Sequence, residues 1–98
     1  MKTSAYAFEQ IEVADKVVGL AKQLTVSSND HKPESVFISV ESHPIRFRYD
    51  GGDPTSTLGH LVHRDRSFEI KGQLSLQKFK AVSANGNPAI LSVTYEGE

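Results

Sequence analysis

From Val36 to Tyr95 apolar and polar residues alternate in short runs, and each run ends at a turn signal. Val36, Ile38 and Val40 share one parity, and Phe37, Ser39 and Glu41 the other. That two-residue period belongs to a half-buried strand. Ser42-His43-Pro44 breaks the run, since Pro44 cannot donate to a central ladder. Ile45, Phe47 and Tyr49 then alternate with Arg46, Arg48 and Asp50, so the pattern puts all three apolar side chains, Tyr49 included, toward the core. Asp50-Gly51-Gly52-Asp53-Pro54 follows as a turn cluster. Its glycines allow positive φ, and Pro54 fixes its own φ and holds Asp53 extended.

Downstream, Thr55 to Arg64 reads as a long, mostly polar connection containing Leu58, Leu61 and Val62. Ser67 to Lys71 alternates with Phe68 and Ile70 inward, and Gly72 ends it. Leu74 to Val82 alternates through Leu74, Leu76, Phe79 and Ala81, with one offset near Gln77-Lys78. The offset predicts a bulge or a break between two strands. Asn85-Gly86-Asn87-Pro88 is a strong turn built on Gly86. Ile90 to Tyr95 is the last strand, with Leu91, Val93 and Tyr95 on one face.

The N-terminal part is less regular. Residues 1–7 are small and polar and read as a loose or partner-bound arm. Phe8 to Ala14 alternates around Ile11 and Val13 as a short strand. Asp15 to Leu24 has Val17, Leu20, Ala21 and Leu24 at helical spacing, but Gly19 costs a helix about 1 kcal/mol relative to Ala. A short helical turn and a strand bulged at Gly19 both fit. Thr25 to Ser35 is a polar loop. The whole predicts one domain over residues 1–98: an all-β, single antiparallel β-sandwich of six to eight short strands, with jelly-roll connections as one way to join them.

Composition narrows the function. Lys plus Arg numbers 11 against 12 for Asp plus Glu, a net charge of −1, which argues against direct nucleic-acid binding. There is no cysteine, so no disulfide framework. No apolar run approaches the ~20 residues that span a bilayer, and the first residues lack the pattern of a signal peptide, so no membrane partner and a cytosolic origin are expected. An apolar fraction of 38% leaves room for surface that a partner completes.

Candidate chemistry is sparse. His60 and His63, with Asp65 or Asp53, fall short of the converging ligand set that zinc needs; His43 and His31 lie elsewhere. Asp50, Asp53 and Thr55 resemble the start of a calcium loop but lack its twelfth-position Glu, so the side chains are read as turn-forming. No nucleophile stands beside a base, and Gly51-Gly52 is not followed by the Lys-Ser or Lys-Thr of a phosphate loop. No catalytic residue, metal or cofactor is expected. The remaining feature is charge. All four arginines, Arg46, Arg48, Arg64 and Arg66, fall in one stretch of chain. If their two segments pair, four guanidinium groups line one surface. With His60 and His63 they form a candidate docking patch for an acidic partner. Alternatively each pairs with Asp50, Asp65 or Glu69 on a solvated face.

Ile45-Arg-Phe-Arg-Tyr-Asp-Gly, followed by Asp53-Pro-Thr-Ser-Thr-Leu-Gly-His-Leu-Val62, resembles a group of small structural proteins of tailed bacteriophages and prophages. Phe79-Lys-Ala-Val82, Ala89-Ile-Leu-Ser-Val-Thr-Tyr95 and Val18-Gly-Leu20 extend the resemblance in order along the chain. The double glycine in the turn and His63-Arg64-Asp65-Arg66 depart from the group's pattern. The resemblance implies a non-enzymatic virion component, assembled in the host cytoplasm. It would attach to the capsid shell or neck in multiple copies, with major capsid, portal or neck proteins as partners and a homo-oligomeric state. The hairpin alone also resembles small accessory β-sandwich domains of chitobiase-type enzymes and bacterial surface proteins, which makes a carbohydrate-binding or adhesion module the alternative. Sugar sites use exposed aromatic platforms, and the parity that turns Tyr49 and Tyr95 inward counts against it.

Overall fold

The computed structural model describes residues 4–20 and 33–97. Within them the alternating runs become seven strands: β1 (Ser4–Val13), β2 (Pro33–Glu41), β3 (Ile45–Arg48), β4 (His60–Val62), β5 (Ser67–Lys71), β6 (Lys80–Ser83) and β7 (Ala89–Gly97). One short helix, α1 (Gln73–Lys78), precedes β6. The chain is all-β. One antiparallel sheet has the order β1-β7-β2-β5, and a second has the order β4-β3-β6.

The inner faces of the two sheets meet in one core. Strand β7 lies between β1 and β2, so its inward residues set the rows. Leu91 stands between Ile11 and Val40, Val93 between Glu9 and Ile38, and Tyr95 between Ala7 and Val36. Across from them the three-stranded sheet contributes Ile45, Phe47 and Ala81, and Leu76 and Phe79 close one end. Most of these side chains are fully buried, each contributing about 1.5–3 kcal/mol relative to exposure. The exception to apolar packing is Glu9. It shares the parity of Ile11 and Val13, is buried, and accepts a hydrogen bond from the Tyr95 hydroxyl.

The chain changes sheets between β2 and β3 and again between β4 and β5. Each corner holds a non-glycine residue with positive φ: Ser42 at 77° and Asp65 at 66°. Such backbone costs an L-residue roughly 1–2 kcal/mol. The corners support each other, because the Val40 amide donates to the Arg66 carbonyl (2.9 Å) and the Asp65 amide to the Val40 carbonyl (2.7 Å). The β6–β7 crossing is the expected turn. The Ser83 hydroxyl donates to the Asn87 carbonyl (2.7 Å), and the Asn85 side chain accepts from the Asn87 amide (3.0 Å).

Five local expectations change. Residues 4–7 are not a loose arm: they belong to β1 and pair with Tyr95, Glu96 and Gly97, with an irregularity between Ala5 and Ala7. The connection Thr55–Arg64 contains a strand, β4, too short for alternation to reveal and made by pairing with β3. Leu74–Lys78 is helical. Leu76 and Phe79 are three apart and both buried, Leu74 is exposed, and the offset at Gln77-Lys78 is where the helix gives way to β6. Residues 14–18 form neither a helical turn nor a bulged strand. They run beside β6, bonding Val18 to Ala81 in both directions and Ala14 to Ser83. Pro33–Ser35, expected as the end of the loop Thr25–Ser35, begin β2 and pair with β7 and β5; positions 1–3 and 21–32, His31 among them, lie outside the described residues.

Removing one hydroxyl tests the polar contact in the core. Tyr95→Phe leaves the buried Glu9 carboxyl without that donor and lowers stability by about 1–3 kcal/mol. Urea unfolding should show a lower midpoint at unchanged slope. An unshifted midpoint would remove this bond from the interactions that hold the fold.

Candidate functional site

The turn after β3 is held to the sheet by side chains from the sheet's outer face. The Arg48 guanidinium forks onto Asp50, donating through Nε to Oδ1 (3.0 Å) and through Nη2 to Oδ2 (2.6 Å). The Gly52 amide also donates to Asp50 Oδ1 (3.2 Å). Together these donors hold the Asp50 carboxyl down at about 2, Arg48 being the larger cause, and the same pair pushes the Arg48 guanidinium up. Lys80, beside Arg48 on β6, binds Asp53 at 2.9 Å. Arg46 reaches further along the loop and donates to the carbonyls of Ser56 (3.0 Å) and Gly59 (2.9 Å). Thr55 and Leu58 close the tip through paired backbone bonds, and Pro54 is buried beneath it.

The two turn glycines serve different ends. Gly51 takes a positive φ of 95°. Gly52 does not need one; a Cβ there would lie 2.5 Å from the Arg48 guanidinium carbon, so its bare α-carbon makes room for the fork. Asp50, Gly51, Gly52 and Pro54 shape this corner, and three cations, Arg46, Arg48 and Lys80, bind it.

Beside the corner lies an aromatic cluster. The Phe47 ring stacks on Phe68 across the core at 4.5 Å between centroids, nearly parallel at 7°. His60 tilts against Phe47 (5.2 Å) and Tyr49 (6.0 Å). Tyr49 is 46% exposed, which corrects its assignment to the core: it lies just past the end of β3, where the sheet no longer covers it. These rings floor a groove of about 570 Å³ between β4 and β5. Among the described residues each of these strands has one neighbour and one unpaired edge. A second cleft of about 330 Å³ joins Tyr49 and His60 to the Arg48–Asp50 fork.

The six residues expected to form one docking patch stand in different local settings. Strand β3 pairs with His60–Val62, and Arg64 and Arg66 fall beyond that pairing, at the corner against β2. Arg46 and Arg48 lie on the outer face and bind the loop. Arg64 is exposed, with Asp65 at 4.0 Å. His60 joins the aromatic cluster, and His63 is exposed at the end of β4. Among the described residues no three His, Asp or Glu side chains are grouped to hold a metal. Asp50 Oδ1 accepts from the Gly52 amide (3.2 Å) and Thr55 Oγ1 from the Thr57 amide (3.3 Å), the turn-forming role read from their residue types, whereas Asp53 binds the Lys80 ammonium (2.9 Å). Two features escaped the sequence reading. The burial of Glu9 was signalled by its parity with Ile11 and Val13. The exposure of Tyr49 had no local signal.

In comparisons with known proteins the chain matches no protein-family model, no curated protein and no solved structure.

The fork gives a pH prediction. Asp50 is depressed in the folded state below the ordinary unfolded value of about 3.9, so its contribution to stability is present above that value and disappears as pH falls toward about 2. Gly52→Ala displaces the Arg48 guanidinium, a mobile group, so the fold should survive while Asp50 titrates closer to the ordinary carboxylate range. Carboxyl-carbon NMR titration checks this; an unmoved Asp50 would mean that the fork tolerates the added methyl.

Proposed function

We propose that this chain is a non-enzymatic virion structural protein of a tailed bacteriophage, attaching in multiple copies to the capsid shell or neck. The observation that carries the reading is the corner at residues 45–61. The residues that bear the sequence resemblance there build a largely exposed loop clamped onto the outer face of the three-stranded sheet. Its geometry is set by internal bonds before any partner arrives. A surface ordered in advance loses little freedom on docking, which favours attachment in many copies through a small contact. Among the described residues β4 and β5 each keep an unpaired edge, and the exposed Leu58, Leu61 and Tyr49 supply apolar area next to that loop. Arg64 and Arg66 remain the exposed arginines for orientation and salt-sensitive specificity. Arg46 and Arg48 serve the reading by holding the loop.

A second reading, a carbohydrate-binding or adhesion module, is favoured by one observation: the Tyr49 ring is exposed and held in orientation by Phe47 and His60 beside a polar cleft. A fixed aromatic face next to hydrogen-bonding groups suits the apolar face of a sugar ring.

Particle binding separates the two. Purified chain added to particles that lack it should restore its density in electron micrographs. The double variant Arg64→Glu/Arg66→Glu should lower occupancy at moderate salt without altering the fold. Unchanged occupancy rejects the arginine role, and no density on any particle rejects the virion reading. In the same preparation, cell-wall glycan that shifts the Tyr49 ring resonances, with the shift lost in Tyr49→Ala, would support the sugar reading instead.

A further inference from the structure

The outer faces of the two sheets differ in charge. On the four-stranded sheet, strand register sets Phe8, Thr94, Phe37 and Glu69 in one row across β1, β7, β2 and β5. Phe8 and Phe37 are 53% and 43% exposed and stand two strands apart, about 10 Å at ordinary strand spacing. Glu12, Glu41 and Glu96 lie on this face by the same register. The cation of this face among the described residues is Lys71, 3.7 Å from Glu69. Acid therefore prevails around two exposed phenylalanines.

The three-stranded sheet has the complementary arrangement. Leu61 stands directly opposite Arg46, and Leu58 lies in the loop that Arg46 holds; they are 43% and 53% exposed. Arg48 and Lys80 are matched by Asp50 and Asp53. The Arg46 guanidinium bonds are to the neutral carbonyls of Ser56 and Gly59, so its charge is not cancelled by them. One sandwich thus carries apolar groups among carboxylates on one side and apolar groups around a cation on the other.

We propose that the occupant of the acidic face is the cationic face of a second copy, so that the chain associates head to tail. Like-on-like packing of the acidic faces would oppose Glu12, Glu41 and Glu96 to their own copies, an unfavourable juxtaposition. Head-to-tail pairing sets Arg46 among carboxylates and brings Leu58 and Leu61 onto Phe8 and Phe37. Such a contact uses two different patches, so it closes into a ring or continues as a stack. The inference goes beyond the virion reading and needs no shell.

Sedimentation velocity of the wild-type chain should show growth beyond the monomer as concentration rises. Association should weaken about tenfold between about 0.1 and about 1 M salt, where the Debye length falls from about 10 to about 3 Å. Phe37→Asp disables one face and Leu61→Asp the other; each variant alone should be monomeric. Mixed, they should form a one-to-one dimer, because each keeps the face the other lost. Circular dichroism verifies folding, and Phe8→Asp replaces Phe37→Asp if that chain does not fold. A wild-type monomer at all concentrations, salt-insensitive association, or a mixture that stays monomeric would each overturn the proposal. Self-association without particle binding would keep it and reject the virion reading.

Discussion

The register of β7 is the constraint on which the rest depends. This strand pairs along its length with β1 on one side and β2 on the other. Leu91, Val93 and Tyr95 therefore decide which residues of three strands enter the core. A slip of one residue would send Ser92 and Thr94 inward and carry Phe8 or Phe37 with their neighbours into mismatched rows. The Tyr95–Glu9 bond belongs to this register, and a buried carboxyl needs a donor.

With one face of each sheet committed to the core, the outer faces are free to differ. On the three-stranded sheet three of the outward side chains, Arg46, Arg48 and Lys80, are long and cationic, and they hold the loop that follows β3. The arrangement is economical. Arg46, Arg48 and Lys80 share a face because the strand period puts them there, and each reaches a different part of the same loop. Stiffness in a segment with two adjacent glycines then arises from polar contacts at the surface. Such contacts are individually weak in water. Their effect is on shape: several anchors acting on one short loop leave it few alternative paths.

This division of labour underlies the proposed function. A core-determined scaffold with a clamped corner and unlike outer faces suits attachment and assembly, where a partner must meet a surface already in position. The aromatic groove between β4 and β5 arises from the same geometry. Among the described residues the edge strands β4 and β5 do not pair with each other, and the rings of Phe47 and Phe68 floor the groove between them. Tyr49 and His60 extend that packing to the solvent.

The amino-acid sequence alone was enough to determine which faces of β2, β3, β5 and β7 turn inward, and where the chain turns at Asp50–Pro54 and Asn85–Pro88. These are local properties: alternation reports the face of a strand, and Asp, Asn, Gly and Pro report backbone that no strand can hold. Only the tertiary structure decided that His60–Val62 is a strand, that Gln73–Lys78 is a helix, that Tyr49 is exposed and that Arg46 binds a loop. Each of these depends on a neighbour remote in sequence. A three-residue strand exists through its partner, and an aromatic ring past a strand end is buried or bare according to what the opposite sheet covers. Parity along one strand carries no information about either.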